Sequence, residues 1–281
     1  MGSSQDVTEA SDMADGGSKL VLRRFFERLR ALGGGVLALD YDGTLAPFRI
    51  DPMEAVPYPG VREAIARILG TGKTRVVLIS GRRAEEVRDL LGIRPAPEIW
   101  GVHGRQRLRP DGRCTIEPLR ESEEEALEAA GAWVEHSGYG LRTESKPGSL
   151  ALHWRGMPAE EIARASRAVQ AALGPIAERA GMSLLAFDGG MEIRPREPNK
   201  GSVVRALIGE QKDPTAVAFL GDDTTDEEAF VAMRGAKQGV RALSVLVRPE
   251  WRETAAEVWL RPPDELLEFL EAWAECGEAA Q

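Results

Sequence analysis

The chain has 281 residues, with 43% hydrophobic and 29% charged side chains, an ordinary balance for a soluble fold with a sizeable core. Its formal net charge of −9 and pI near 5.1 repel polyanions, so nucleic acid is excluded as an expected partner, and an anionic substrate needs cations gathered at one point. No apolar run approaches the roughly 20 residues of a membrane span, which excludes a membrane partner from the expectation, and two distant cysteines, Cys114 and Cys276, read as free thiols of a reducing compartment, the cytoplasm.

Residues 1–18 have no basic start and no apolar middle, so they are not a secretory signal and are expected to be a disordered tail. Asp6 stands where a myristoylation signal wants Ser or Thr. Helical periodicity over 20–32 stops at Gly33-Gly34-Gly35. The apolar run 36–39 reads as a buried strand ending in Asp40-Tyr41-Asp42-Gly43-Thr44. A helix over 59–69 precedes a second buried strand at 75–79, which ends in Ser80-Gly81-Arg82. A helix over 83–91 and a short strand at 98–102 follow. Residues 106–118 alternate around the hairpin signal Asp111-Gly112. Next come an amphipathic helix at 121–135, two strands within 140–155 joined at Lys146-Pro147-Gly148, a long helix at 159–180, and strand sequence over 183–194 with a turn at Asp188-Gly189-Gly190. The first pattern then resumes: a helix from Lys200, a strand at 216–220 ending in Gly221-Asp222-Asp223, a helix at 225–233, a strand at 242–247 and a last helix at 264–275.

The expected fold class is therefore α/β, a Rossmann-like parallel-sheet core interrupted by an α+β insert. The expected division is a core of 19–105 and 196–281 with a second domain at 106–195. In open parallel sheets ligands bind beyond the carboxyl ends of the strands, so Asp40, Asp42, Ser80, Asp222 and Asp223 are expected to meet at one rim. Carboxylates crowded there repel one another without a cation, and oxygen-only ligands suit Mg²⁺. Asp40 ending a strand can attack phosphorus in line, and Asp42 can protonate the leaving oxygen and then deprotonate water. Lys200 at a helix start offers an ammonium and a helix N-terminus to phosphate. Each group alone also fits a turn, an N-cap or a surface charge; the combination in this order favours phosphoryl transfer. Gly70-Thr71-Gly72-Lys73-Thr74 imitates a phosphate loop, but Arg67 replaces the first glycine and a strand follows where a helix should. It reads as a helix-to-strand turn. His136 reads as structural.

These motifs resemble the haloacid dehalogenase superfamily, and more closely the trehalose-6-phosphate phosphatases within it. The stretch LALDYDGTLAPF at 37–48, ISGR at 79–82 and GVHG at 101–104 carry the resemblance, with Glu144-x-Lys146, Ser149, His153-x-Arg155, Glu192-x-Arg194-Pro195, Asn199-Lys200-Gly201 and GDDTTDE from Gly221. The resemblance implies an aspartyl-phosphate on Asp40, Asp42 as general acid and base, and Ser80 and Lys200 holding the phosphoryl group. It implies Mg²⁺ bound by Asp40, the Asp42 carbonyl and Asp222, with Asp223 and Asp226 supporting. The insert becomes a cap that selects a small-molecule sugar phosphate. Substrate-binding residues are expected at Thr44, Gly81, Arg82, His103, Arg105, Glu144, Lys146, Glu192 and Arg194. The oligomeric state is open, a monomer included. Rival readings are a phosphatase for sucrose phosphate or mannosylglycerate phosphate, and a non-catalytic sugar-phosphate sensor; intact Asp40 and Asp42 argue against the sensor.

Overall fold

Short runs of Val, Leu, Ile and Ala form the middle of the molecule because they are apolar on both sides, as a strand covered by helices on each face must be. The computed structural model describes residues 4–49, 51–187, 189–211 and 214–279, with side chains from residue 17 onward. In chain order the first part comprises α1 (Ser4–Leu32), β1 (Val36–Leu39), α2 (Val61–Gly70), β2 (Arg75–Ile79), α3 (Ala84–Leu91), β3 (Glu98–Gly101), β4 (Gln106–Leu108) and β5 (Cys114–Ile116). Then come α4 (Glu121–Ser137), β6 (Thr143–Lys146), β7 (Ser149–His153), α5 (Ala159–Ala180), β8 (Met182–Phe187) and β9 (Gly190–Pro195). The last part comprises α6 (Lys200–Gly209), β10 (Thr215–Gly221), α7 (Glu227–Arg234), β11 (Val240–Val247), β12 (Val258–Leu260) and α8 (Asp264–Glu278).

One sheet has the order β12-β11-β10-β1-β2-β3-β4-β5, parallel from β12 to β3 and antiparallel for the last two strands. Alternation along β1 divides the packing. Leu37 and Leu39 join Phe25, Leu29, Leu266 and Trp273 under α1 and α8, while Val36 and Ala38 join Val203, Leu207 and Phe230 under α6 and α7. Fully burying each large side chain contributes roughly 1.5–3 kcal/mol. Register then sets the chemistry: Leu39 lies beside both Leu78 and Leu220, so the residues that follow these strands emerge together at one rim.

A second, antiparallel sheet of order β6-β7-β9-β8 forms the insert. Its Leu150, Leu152, Met191 and Ile193 pack against Ala126, Ala130 and Val134 of α4 and Val169, Leu173 and Ala177 of α5. Because side chains alternate, Glu144, Lys146, Ala151 and Glu192 occupy the other face. This face looks onto the rim of the first sheet.

Two expectations change. The hairpin at 106–118 pairs through β4 with β3 and so extends the core sheet rather than opening the insert. Its alternation marks a hairpin but carries no sign of which strand it joins. The tail expected over 1–18 is helical from Ser4, since α1 runs unbroken to Leu32. A helix anchored at Phe25 and Leu29 can propagate backward through Ala, Glu and Met at one hydrogen bond per residue. Residues 1–3 lie outside the described residues, as does Asp188 of the expected turn. The short strand β12 has no counterpart in the sequence reading.

Candidate active site

Asp40 follows β1 directly and is held to the neighbouring strand by its backbone N–H donating to the Leu220 carbonyl at 2.9 Å. Its carboxylate accepts from Lys200 Nζ on Oδ1 at 2.7 Å and from Thr44 Oγ1 on Oδ2 at 3.3 Å. Thr44 also reaches Asp222 Oδ1 at 3.4 Å. The turn between them needs glycine: Gly43 has φ +80°, and a Cβ there would stand 2.0 Å from Asp222 Oδ2. Lys200, the first residue of α6, donates a second bond at 2.7 Å to Asp226 Oδ1. The remaining Asp226 oxygen accepts the backbone N–H groups of Asp222 and Asp223 at 3.1 and 3.0 Å. Asp226 thereby shapes the turn after β10 while balancing the ammonium.

Burial dominates the electrostatics here. It raises Asp40 to about 7, helped by the charges of Asp226 and Asp42 and opposed by Lys200. Asp222 is also raised well above the usual carboxylate range, first by burial and then by Asp40 and Asp226. Burial works against the charge on Lys200, but Asp226 and Asp40 outweigh it and raise its pKa. Oxygens of Asp40, Asp222 and Asp226 all lie within 4.8 Å of one another. Three buried carboxylates against one ammonium leave an excess of negative charge that an oxygen-loving divalent cation would neutralise, so the donor set fits a metal. Asp226 spends its oxygens on Lys200 and two backbone N–H groups, whereas Asp40 accepts one bond on each oxygen and keeps a further lone pair on each, so Asp40 and Asp222 are the acidic pair with room to bind one.

Asp42 stands apart from this cluster. Its carboxylate is gripped by Arg82 on both oxygens, with Nε–Oδ2 at 2.6 Å and Nη2–Oδ1 at 2.7 Å. Ser80, buried at the end of β2, accepts the Arg82 backbone N–H at 3.1 Å, and its own N–H donates to the Trp100 carbonyl at 2.9 Å.

A cleft of about 580 Å³ separates this rim from the insert. It is lined on the core side by Asp40, Asp42, Ser80, Gly81, Arg82, His103, Lys200, Asp222 and Asp223, and on the other side by Glu144, Lys146 and Glu192. Lys146 Nζ and His153 Nε2 lie 3.4 and 3.1 Å from Glu144 Oε2. Burial tends to raise the Glu144 pKa, but these two neighbours more than reverse it and hold the carboxyl below its usual value. Glu192 accepts from Ser149 Oγ at 2.7 Å and lies 2.8 Å from His103 Nε2.

Three residues expected to touch substrate lie behind the cleft wall. Thr44 is fully buried between Asp40 and Asp222 and orients them. Arg105 turns away and donates to the Glu117 carbonyl at 2.6 Å, packed beside Gly148. Arg194 crosses the seam to Glu228 at 3.4 Å. Sequence spacing shows that such residues neighbour the motifs but not which way they point. The structure also adds a residue that the sequence reading missed. Arg252 donates to the Asp222 and Asp223 carbonyls at 3.3 and 2.8 Å and pairs with Glu227, clamping the acidic turn from outside. It sits in no motif, so only its distance in space reveals it.

A trehalose-phosphatase family model matches residues 38–258, a span that contains both the acidic rim and the facing sheet. The chain belongs to the trehalose-phosphatase family. Within this family, the trehalose-phosphate phosphatase of Mycobacterium marinum is 30% identical over 243 residues, covering 82% of this chain and 59% of that protein. The trehalose 6-phosphate phosphatase RA3 of Zea mays is 30% identical over 281 residues, covering 91% of this chain and 75% of that protein. The chain thus spans about three fifths of the length of its mycobacterial relative. The solved C-terminal domain of the C. albicans trehalose-6-phosphate phosphatase superposes with a TM-score of 0.76 at 21% identity, covering 90% of this chain and 96% of that one. That likeness shows a shared fold, the haloacid dehalogenase fold of the family.

Proposed function

We propose that this chain hydrolyses trehalose 6-phosphate to trehalose and phosphate, with Asp40 as nucleophile. The observation that carries the reading is the face-to-face arrangement in one cleft: a buried acidic cluster with an ammonium on one wall, and a hydrogen-bonding set of Glu144, Lys146 and Glu192 on the other. The first wall suits a phosphoryl group, and the second suits a polyhydroxylated body. Family membership supports the same substrate.

In this reading Asp40 Oδ attacks phosphorus, the bond to the sugar oxygen breaks, and that oxygen takes a proton from Asp42. Ser80 and Lys200 donate to the phosphoryl oxygens and hold them in place. Asp42 then takes a proton from water, and the hydroxide formed attacks the phosphorus of the aspartyl-phosphate, returning Asp40 as a carboxylate and releasing phosphate. Asp42 must present an oxygen to the sugar oxygen in the first step, yet both of its oxygens face the Arg82 guanidinium. Arg82 therefore has to swing from Asp42 toward the incoming phosphate before Asp42 can act as an acid. We infer Mg²⁺ as the cation, held by Asp40 and Asp222 with Asp226 and Asp223 in support; when bound it would offset the charge on the phosphoryl oxygens and keep Asp40 ionised. The insert, re-drawn as 119–195, acts as a cap that excludes water during attack. The free thiols Cys114 and Cys276 support a reducing compartment, the cytoplasm, as the setting.

A panel of trehalose 6-phosphate, sucrose 6-phosphate, glucose 6-phosphate and mannosylglycerate phosphate, each with Mg²⁺ and after chelation, tests this. Preferential phosphate release from trehalose 6-phosphate that stops on chelation is the expected result. Equal turnover of all four sugars would overturn the substrate assignment.

A further inference from the structure

The turn between β3 and β4 is held in a conformation its residues disfavour. Val102 and His103 have φ of 49° and 55°, a left-handed region that suits a β-branched valine especially poorly. Backbone bonds fix it: Val102 N–H donates to the Arg82 carbonyl at 2.8 Å, and His103 N–H to the Ser80 carbonyl at 2.9 Å. The result is an imidazole pressed onto Gly81, where any Cβ would come within 2.8 Å of the ring. The same ring crosses the seam to Glu192 in the middle of β9, with Nε2 2.8 Å from Oε2.

Both partners are buried. Burial lowers the His103 pKa to about 4; Glu192 pulls the other way, and the charges of Arg194 and Lys200 add to the lowering. The tautomer that fits the pairing carries its hydrogen on Nε2 and donates it to the carboxylate. Nδ1 is buried and has no hydrogen-bond partner among the described residues. A ring placed this way has no donor left for a sugar hydroxyl or a phosphoryl oxygen. Glu192 differs: its two oxygens accept from His103 and Ser149, yet each keeps a further lone pair. Its cross-strand neighbours are Ala151 on β7, which lines the cleft with it, and Leu185 on β8, so neither offers it a polar partner.

We propose that His103 is a positioning residue: through its bond to Glu192 it aligns the cap's sugar-facing carboxylate with the phosphate loop that its own backbone holds at Ser80. Selection of the sugar is thereby tied to correct seating of the phosphate. The inference rests on the cleft being a sugar-phosphate site, and it assigns to His103 an action through Glu192 in place of direct substrate contact.

The test measures kcat and KM for trehalose 6-phosphate and for p-nitrophenyl phosphate, which has no sugar, with Mg²⁺. The proteins are wild type, His103→Ala, His103→Gln, Glu192→Gln and the Ala/Gln double variant. His103→Ala should lower the ratio of kcat/KM values, sugar substrate over aryl substrate, by about 30-fold, because Glu192 loses its alignment. His103→Gln, whose amide can donate from a similar position, should recover most of that ratio and also serves if the alanine variant fails to fold. In the Glu192→Gln background, His103→Ala should change the ratio by less than about 3-fold, since the two act as one unit. An equal loss on both substrates, or single effects that simply multiply, would overturn the proposal. Wild-type turnover judges the substrate reading separately: hydrolysis of the aryl phosphate without trehalose 6-phosphate would sink that reading, and the ratio would then be taken on whichever sugar phosphate of the panel is used.

Discussion

Lowering the pH from 8 to 5 should weaken Mg²⁺ binding by at least about 100-fold, and the reason lies in Asp40. Burial first, and then repulsion from Asp226 and Asp42, lift this carboxyl to about 7 even with Lys200 bonded to it. An ion that takes Asp40 as a ligand must displace its proton below that pH. Each pH unit under 7 then costs a factor of ten in apparent affinity, so two units amount to about 100-fold, or roughly 2.7 kcal/mol. Asp222, raised in the same direction, steepens the slope. Above pH 7 the Asp40 contribution flattens, because its carboxyl is already ionised. Isothermal titration of the metal-free protein with MgCl₂ at several pH values measures the affinity, and buffers of different ionisation enthalpy count the protons released. About one proton or more per ion at pH 6 is expected. An affinity that does not change between pH 5 and 8, with no proton release, would refute the argument that Asp40 is a buried, protonated ligand.

Other consequences follow from the same geometry. Lys200→Met removes the only ammonium bonded to Asp40 and Asp226 among the described residues, so chemical denaturation should show a loss of about 3–5 kcal/mol, partly restored by Mg²⁺. Arg252→Ala frees the Asp222 and Asp223 carbonyls and Glu227, and calorimetry should show Mg²⁺ affinity falling by about 10–100-fold; unchanged affinity would remove Arg252 from the site. His103 stays neutral in the fold down to about 4, against 6.5 in the unfolded chain, which therefore binds the extra proton in acid. Stability should drop by roughly 3 kcal/mol as pH falls from 6.5 to 4, and urea titrations should show a flatter slope for His103→Gln.

The strand ends were legible because each apolar run stops abruptly at a polar group: 36–39 at Asp40, 75–79 at Ser80 and 216–220 before Asp222. Parallel pairing then leaves little freedom about where those groups meet. Partner choice was not legible. The 106–118 hairpin looks the same whether it joins β3 or the insert, and only β3's open edge decides. The three residues of β12, flanked by Glu257 and Arg261, are too few to show a period. Side-chain direction was also hidden: Arg82 lies on the cleft and seizes Asp42, while Arg105 and Arg194, equally close to motifs, turn into the seam. Arg252 clamps the acidic turn from about thirty residues downstream, a pairing that spacing cannot encode.

Phosphate release from trehalose 6-phosphate by wild type and by Asp40→Asn, each saturated with Mg²⁺, bears most directly on the role given to Asp40. An amide of the same shape keeps the cleft but cannot attack phosphorus. The wild type should turn the substrate over, and the variant should be slower by on the order of 10⁴-fold or more while still binding it. Release by the variant within tenfold of wild type would contradict the account.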